Sequence, residues 1–133
     1  MTDELCEVVI TAPDAGWLVA FTRGLVEDHL AASAHTIVEV RSVYEWRGEL
    51  VERTEARTAV RTRTSLVPAI AALLDQEHPY DIPGIVALPI LATSPAYGDW
   101  LLAQTTEPPA TDQLPFELHR LALDHAAALS DST

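Results

Sequence analysis

Residues 34–64 read AHTIVEVRSVYEWRGELVERTEARTAVRTRT, and apolar and charged residues alternate along most of this segment. Side chains that repeat with a period of two lie on one face of a β-strand. The segment is interrupted at Arg47-Gly48, where glycine supplies the positive φ of a tight turn. It therefore predicts a long β-hairpin whose first strand places on its apolar face Val38, Val40, Tyr44 and Trp46.

The second half of the hairpin is ambiguous by spacing alone. Arg53, Arg57 and Arg61 are four residues apart, as on one side of a helix, but they also share one face of a strand. Frequent threonine and valine favour the strand. We therefore expect a strand with the arginines and Glu55 on one face and small or apolar residues on the other.

The segments around the hairpin complete one architecture. They are a strand at Glu7–Thr11, a helix from Asp14 with an apolar stripe to Val26, a helix capped by Ser65, a strand at Ile85–Leu91 with Pro89 at an edge or a bulge, and a short helix from Pro95. The order βαββαβ followed by a helix predicts an α+β fold, the ferredoxin-like sandwich with two helices on one face of an antiparallel sheet.

The length of 133 residues predicts one domain with a tail. We place the domain at residues 1–104. Residues 105–133 begin with linker composition and continue as a short amphipathic helix, with a thin apolar stripe formed by Leu114, Leu118, Leu121, His125 and Leu129.

The charge of the chain argues against two classes of partner. The net charge is −12, which repels nucleic acid and anionic membranes. Six of the eight basic residues lie between Arg41 and Arg63, a window with a net charge of +2. This basic segment is suited to docking on another copy of the acidic chain or to holding a small anion, and the alternative is a solvated face with local ion pairs.

The ends of the chain and its cysteine count indicate a compartment. Residues 1–4 read MTDE, without the basic start of a signal peptide, and no apolar stretch approaches the length of a membrane span. The chain contains one cysteine, Cys6, so it has no intrachain disulfide. We expect a cytoplasmic protein.

The predicted hairpin is longer than a small domain needs for itself. Unpaired strand edges promote aggregation unless another element covers them. Aromatic residues near its turn are typical of interface cores, although packing within the chain is the alternative. We therefore expect a closed oligomer in which a second subunit covers the hairpin.

Several motifs together resemble the CutA family of divalent-cation tolerance proteins. The resemblance spans residues 7–104 and rests on SVYEWRG at 42–48, Glu55, RTRTSLVPA at 61–69, HPYDIP at 78–83 and ALPI at 87–90. TAP at 11–13 and YGDW at 97–100 are also similar to residues of that family.

The resemblance implies a tight homotrimer whose hairpins pair between subunits. It also implies a connection to copper and other divalent cations, and no established catalytic reaction, so we expect a protein that is not an enzyme and has no obligatory cofactor. Many relatives have cysteine where this chain has Ser33, so a divalent ion such as copper must rely on histidine and carboxylate ligands.

Candidate site residues follow from the motifs. The metal-ligand candidate is His78, which begins a rigid loop next to Tyr80 and Asp81, although a histidine before proline is more often a hydrogen-bonded loop residue. Predicted interface or cleft residues are Tyr44, Trp46, Glu55, Arg61, Tyr80 and Trp100. Glu55 among arginines is a poor base near neutral pH and favours an ion-pair network.

Two other functions remain open at this point. One is a trimeric signalling module in which an intersubunit cleft, lined by Arg61 and Tyr80 with Arg63 as a further anion ligand, binds a small anionic metabolite or a partner protein. The other, which has the least support, is a hydrolase in the same cleft with Glu55 as a general base.

Overall fold

The elements of the chain follow the predicted order. The computed structural model describes residues 4–106, which form β1 (Leu5–Ala12), α1 (Ala15–Glu27), β2 (Ser33–Trp46), β3 (Glu49–Arg63), α2 (Val67–Glu77), β4 (Ile85–Pro89) and α3 (Pro95–Gln104). The strands form one antiparallel sheet in the order β2-β3-β1-β4. This arrangement confirms the ferredoxin-like α+β prediction, and α3 is its additional helix.

The hydrophobic core lies between one face of the sheet and the helices α1 and α2. Alternate residues of β1, including Val8 and Ile10, point into it and pair across the sheet with Val60 and Thr58 of β3. The helices contribute Leu18, Phe21 and Leu25 from α1 and Ile70 and Leu74 from α2. Burial of these side chains removes apolar area from water and fixes which face of each strand points inward.

The hairpin turn occurs at the predicted position. Arg47 and Gly48 have φ angles of 52° and 82°, so both central residues of this two-residue turn lie in the left-handed region. This backbone twist matches the twist of the two strands that it joins. The turn therefore joins β2 and β3 directly at the tip of the hairpin.

The regular alternation predicted for β2 is wrong at one point. A β-bulge lies between Ile37, which pairs with Arg57, and Val40, which pairs with Glu55. One extra residue on β2 puts Ile37 and Val40 on the same face and leaves Val38 in the bulge, 67% exposed. Beyond the bulge, Tyr44 pairs with Val51 and shares the face of Glu55.

Helix α2 does not start as predicted. Ser65 lies inside a short 3-10 turn at Thr64–Leu66, and α2 begins at Val67 with Leu66 at its cap position and no side-chain cap. Pro68 occupies the first turn of α2, where the absent N–H removes no helical hydrogen bond. The Asp14 side chain does cap α1, since its Oδ2 accepts a hydrogen bond from the Trp17 backbone N–H at 2.9 Å.

Arg63 fastens α3 to the sheet. The Arg63 side chain is buried; its Nε donates to Thr105 Oγ1 at 2.8 Å and its Nη2 donates to the Leu102 carbonyl at 2.7 Å. Both acceptors lie at the C-terminal end of α3, where a cation is favourable. Arg63 is thus committed to the fold and not to a bound anion. The predicted tail helix and its apolar stripe lie outside the described residues.

The second face of the sheet carries exposed apolar side chains. On β4, Val86 and Leu88 are 56% and 49% exposed, and their pairing with Val9 and Glu7 places them opposite the helical layer. Ile37 of β2 is also exposed on this face. We call this the open face. None of the helices in residues 4–106 has the length and apolar character required to cross a membrane.

Candidate functional site

A cavity of about 470 Å³ lies between the hairpin and the loop that follows α2. The hairpin contributes side chains of one face, and the loop contributes residues 79–84, with Thr11 at the end of β1 between them. The lining residues are Thr11, Tyr44, Trp46, Val51, Arg53, Glu55, Pro79, Tyr80, Asp81, Ile82 and Gly84. Its volume is in the range of small-ligand pockets.

His78 holds the loop against the end of β1. Its ring is largely buried beside the Trp17 ring, with the two ring centroids 5.2 Å apart. Nε2 lies 2.8 Å from the Thr11 carbonyl oxygen, and Nδ1 accepts a hydrogen bond from the Tyr80 backbone N–H at 3.0 Å. These partners assign the proton to Nε2, which donates to Thr11. His78 therefore sets the position of Tyr80.

The surroundings of His78 favour its neutral form. Burial lowers the pKa of His78 from its ordinary value of 6.5, although the hydrogen bond to Thr11 and the charge of Glu55 act in the opposite direction. Protonation of Nδ1 would also remove the acceptor for the Tyr80 N–H. The loop geometry thus requires an uncharged imidazole.

The same hydrogen bonds bear on metal binding. Both ring nitrogens of His78 have partners, so a metal ion would have to replace one of them. No group of three or more His, Cys, Asp or Glu residues able to hold a metal occurs in residues 4–106. His78 as a metal ligand stays a prediction, and the described part of a single chain offers no complete metal site around it.

Tyr80 connects an arginine and a carboxylate at the edge of the cavity. Its hydroxyl donates to Glu55 Oε2 at 2.8 Å and accepts from Arg53 Nη1 at 3.0 Å. The Arg53 guanidinium also lies over the Tyr80 ring, 5.7 Å from its centroid. Burial, and then the hydrogen bond to Glu55, raise the pKa of Tyr80 above 10.0, so the hydroxyl keeps its proton at neutral pH.

Glu55 is buried without an ion pair. It is 5% exposed, and none of the ion pairs found among residues 4–106 involves it. Asp81, the other carboxylate of the cavity, forms an exposed pair with Arg47 at 3.9 Å. A buried carboxylate is ordinarily balanced by a cation, so Glu55 is the chemically unusual group of the cavity.

The predicted site residues fall into two groups within one chain. Tyr44, Trp46, Glu55 and Tyr80 line the cavity. Arg61 lies elsewhere on the same strand: its Nε donates to Glu7 at 3.2 Å and its Nη1 donates to the Tyr97 hydroxyl at 2.7 Å, and the Tyr97 ring stacks on Trp100. A single chain thus does not bring Arg61 to Tyr80; their meeting between subunits stays a prediction.

The cavity contains residues that the sequence analysis did not select. Arg53 shares the face of Glu55 by simple alternation, so the period of two contained the signal for it. Asp81 lies in the HPYDIP loop, and the position of that loop depends on the contact between His78 and Thr11. No local pattern signals a contact between residues so far apart in the chain.

Together these features define a class of protein. It is a ferredoxin-like α+β protein with a long β-hairpin, an open sheet face and a cavity beside the hairpin. The chain belongs to the CutA1 divalent ion tolerance protein family, whose model matches residues 6–104. This match confirms the resemblance found in the motifs.

Relatives with this fold occur in bacteria, animals and plants. The divalent-cation tolerance protein CutA of Thermus thermophilus is 38% identical over 98 residues, which cover 74% of this chain and 95% of that protein. Mouse protein CutA is 35% identical over 98 residues, but the match spans only 55% of the mouse protein. The crystal structure of CutA1 from Oryza sativa superposes with a TM-score of 0.77 at 29% identity, covering 80% of this chain and 98% of that one.

The relatives differ in the compartments that their descriptions give. The CutA protein of Arabidopsis thaliana is described as chloroplastic, and that of Archaeoglobus fulgidus as periplasmic. A cytoplasmic location of the present protein therefore stays a prediction.

Proposed function

We propose that this protein is a homotrimeric divalent-cation tolerance protein of the cytoplasm that binds divalent ions such as copper and catalyses no reaction. The family to which the chain belongs supports the tolerance function. The observation that carries the trimer is the open face. There Val86, Leu88 and Ile37 expose apolar side chains on the surface of the sheet that lies opposite α1 and α2.

The edges of the sheet support the same assembly. β4 and β2 are the two outer strands of the order β2-β3-β1-β4, so each has one edge that pairs with no other strand of residues 4–106. An exposed strand edge beside exposed apolar side chains is suited to another copy of the same strand arrangement. A closed ring of subunits covers such edges on every copy and leaves none to grow into a filament.

The proposed metal binding is weak and pH-dependent. The net charge of −12 attracts divalent cations to the surface, but the described part of one chain contains no cluster of three ligands. We therefore propose that His78 binds copper together with carboxylates after its loop opens. Competition from protons and from its two hydrogen bonds then limits the affinity.

The trimer is tested by the mass of the protein in dilute solution. Sedimentation velocity should give three times the subunit mass, and Val86→Lys should shift the protein towards single subunits, because lysine places charge in the interface. Val19→Lys, on the exposed side of α1, is the control and should remain trimeric. A wild-type protein that sediments as a stable single subunit would refute the proposal.

Metal binding is tested by calorimetric titration with Cu²⁺. His78→Ala should weaken the binding, whereas His35→Ala, which removes an imidazole from β2, should not. Circular dichroism of both variants checks that each remains folded. Equal copper affinity in His78→Ala and wild type would eliminate His78 as a ligand.

The second candidate is a trimeric signalling module that binds a small molecule or a partner protein in a cleft between subunits. The cavity favours a small molecule, because it has a suitable volume and polar groups of both charges. The sequence predicts an anionic ligand, held by Arg61 or Arg63. Their hydrogen bonds to Glu7, Tyr97 and the end of α3 leave Arg53 as the arginine of the cavity.

A further inference from the structure

Helix α1 exposes two valines on the side that faces away from the core. Val19 and Val26 are each 38% exposed, and they lie seven residues apart, which is about two turns of helix and places them on the same side of α1. We call these two residues the outer stripe. It lies in the helical layer, so a trimer that is closed through the open face does not cover it.

Arg23 accompanies the outer stripe, four residues after Val19 and three before Val26. The side chain is exposed, and none of the ion pairs found among residues 4–106 involves it. The net charge of the chain is −12, so acidic partners are abundant. Arg23 is therefore a cation that an acidic segment of the same chain can neutralise.

The chain leaves the described part of the structure beside the end of α1. The Thr106 backbone N–H donates to the His29 carbonyl at 2.8 Å, and His29 Nδ1 lies 3.1 Å from the Gln104 carbonyl oxygen. Helix α1 ends at Glu27, two residues before His29. Residue 107 therefore follows a point next to the C-terminal end of α1, and a segment that turns back from there runs antiparallel to this helix.

The sequence of residues 107–133 contains a pattern that matches the outer stripe. It predicts a linker at 107–113, followed by a helix with a thin apolar stripe formed by Leu114, Leu118, Leu121, His125 and Leu129. Glu117 and Asp124 are seven residues apart and flank this stripe on one side of the predicted helix. Because an isolated helix of this length is marginally stable in water, the leucines favour packing against another apolar surface.

The lengths of the two segments agree with packing along α1. The linker at 107–113 reaches at most about 25 Å when it is fully extended. The 13 residues of α1 span about 20 Å, and the predicted helix at 114–129 spans about 24 Å. The linker can thus bring the start of the predicted helix alongside either valine of the outer stripe.

We propose that residues 114–129 form a helix that docks antiparallel on the outer side of α1 of the same chain. Its leucines pack against Val19 and Val26, and one acidic residue of its flank faces Arg23. The apolar contact supplies most of the stabilisation, because an exposed ion pair contributes little, and the charge favours one orientation. This docking surface goes beyond the proposed metal tolerance, and it does not require the trimer because both segments belong to one chain.

Trypsin digestion of the full-length protein tests the docking, because trypsin cleaves after lysine and arginine. The chain contains no lysine and residues 107–133 contain one arginine, Arg120, so cleavage there releases a single fragment, residues 121–133. Mass spectrometry follows this fragment. We expect its release to be slower by about tenfold or more than from a synthetic peptide of residues 107–133, because a docked helix must open before it is cleaved.

Variants of α1 show whether the outer stripe provides the protection. Val19→Gln removes an apolar contact without adding a trypsin site, so it should restore most of the cleavage rate of the peptide. Ala20→Gln is the matched control and should keep the protection, because Ala20 is also exposed but lies about 100° around α1 from Val19. Arg23→Gln should accelerate cleavage less than Val19→Gln does, and added salt should reduce the effect of Arg23. Circular dichroism checks that each variant remains folded.

The outcomes separate this docking from the proposed function. Cleavage of the wild type at the rate of the peptide, or equal acceleration in Val19→Gln and Ala20→Gln, would overturn the inference. Loss of protection in Val86→Lys would overturn it too, and would place the segment on the open face or on another copy. Protection that persists in a protein that sediments as a single subunit, and is lost in Val19→Gln, would support the inference and refute the proposed trimer.

Discussion

Two arginine–tyrosine pairs on the same face of β3 have nearly the same local geometry. Arg61 donates to the hydroxyl of Tyr97 at 2.7 Å, and Arg53 donates to the hydroxyl of Tyr80 at 3.0 Å. In both pairs the guanidinium lies 5.7 Å from the centroid of the tyrosine ring. The pairs differ in the carboxylate that each one meets.

That difference separates a structural contact from a candidate site. Arg61 Nε donates directly to Glu7 at 3.2 Å, so the charge of Glu7 is balanced in place. In the other group the hydroxyl of Tyr80 stands between Arg53 and Glu55, and the carboxylate faces a cavity. An arginine, a tyrosine and a glutamate thus form a direct ion pair at Glu7, whereas the same three types of side chain leave Glu55 without a direct contact to its arginine.

The largest expected contrast concerns the two tyrosine hydroxyls. Tyr80→Phe removes the donor to the buried carboxylate of Glu55 and should lower the free energy of unfolding by about 1–3 kcal/mol. Tyr97→Phe should cost less than about 1 kcal/mol, because Arg61 keeps Glu7 as its partner. Urea unfolding at equal subunit concentration measures both, and equal losses would show that the groups do not differ.

Replacement of the carboxylates of Glu55 and Glu7 should change the free energy of unfolding in opposite directions. Glu55→Gln removes an unpaired buried charge and retains an oxygen that accepts from Tyr80, so it should raise the free energy of unfolding by about 1 kcal/mol. Glu7→Gln weakens a partly exposed ion pair and should lower it by about 0–1 kcal/mol. A loss of stability in Glu55→Gln, measured in the same unfolding assay, would favour the predicted ion-pair network at a subunit interface.

The loop that carries Tyr80 should loosen at low pH. The pKa of His78 is lower in the folded than in the unfolded chain, so its contribution to stability is present above about 6.5 and is lost as the pH falls through the folded-state value. His78→Gln should have a flatter decline of unfolding free energy below this pH than wild type, whereas His35→Gln should follow wild type. Parallel curves for all three proteins would contradict the neutral role of His78.

The smallest effect on stability is expected at Arg47, in the turn at the hairpin tip. Arg47 has a φ of 52°, a conformation in which asparagine is less strained, so Arg47→Asn should raise the free energy of unfolding by about 0.5 kcal/mol. The lost pair with Asp81 is exposed and contributes little. Gly48→Ala, at a φ of 82°, should lower the free energy of unfolding. A change of the same sign in both variants would contradict the turn geometry.

Much of the fold was predictable because local patterns determine it. The alternation in residues 34–64 and the Arg47-Gly48 turn predict β2 and β3. The positions of the prolines are consistent with β4 as an outer strand and with the first turn of α2. The prediction that Ser65 caps α2 was wrong, because the chain forms a 3-10 turn at Thr64–Leu66 before α2 begins. Side-chain identity alone does not distinguish a helix cap from the turn before it.

The site was predicted only in part, because its decisive contacts are remote in sequence. The motifs identified Glu55 and Tyr80, but their hydrogen bond depends on His78 reaching the Thr11 carbonyl across the end of the sheet. Arg61 appeared equivalent to Arg53 by alternation. Six residues of strand separate Arg61 from Glu55, about 20 Å, so one chain cannot bring both to Tyr80.

The β-bulge at Val38 has a consequence for variation among related sequences. The bulge shifts the alternation of β2 by one residue. Before it, Ile37 lies on the face of Glu55; beyond it, Val40 and Tyr44 lie on that face. Deletion of a single amino acid there would leave two residues of β2 opposite two of β3, so Ile37 and Val40 could keep their partners and the rings of Tyr44 and Trp46 would stay on the face of Glu55. A homologue without the extra residue can therefore keep both rings on this face, but it lacks the additional local twist that a bulge gives to the hairpin.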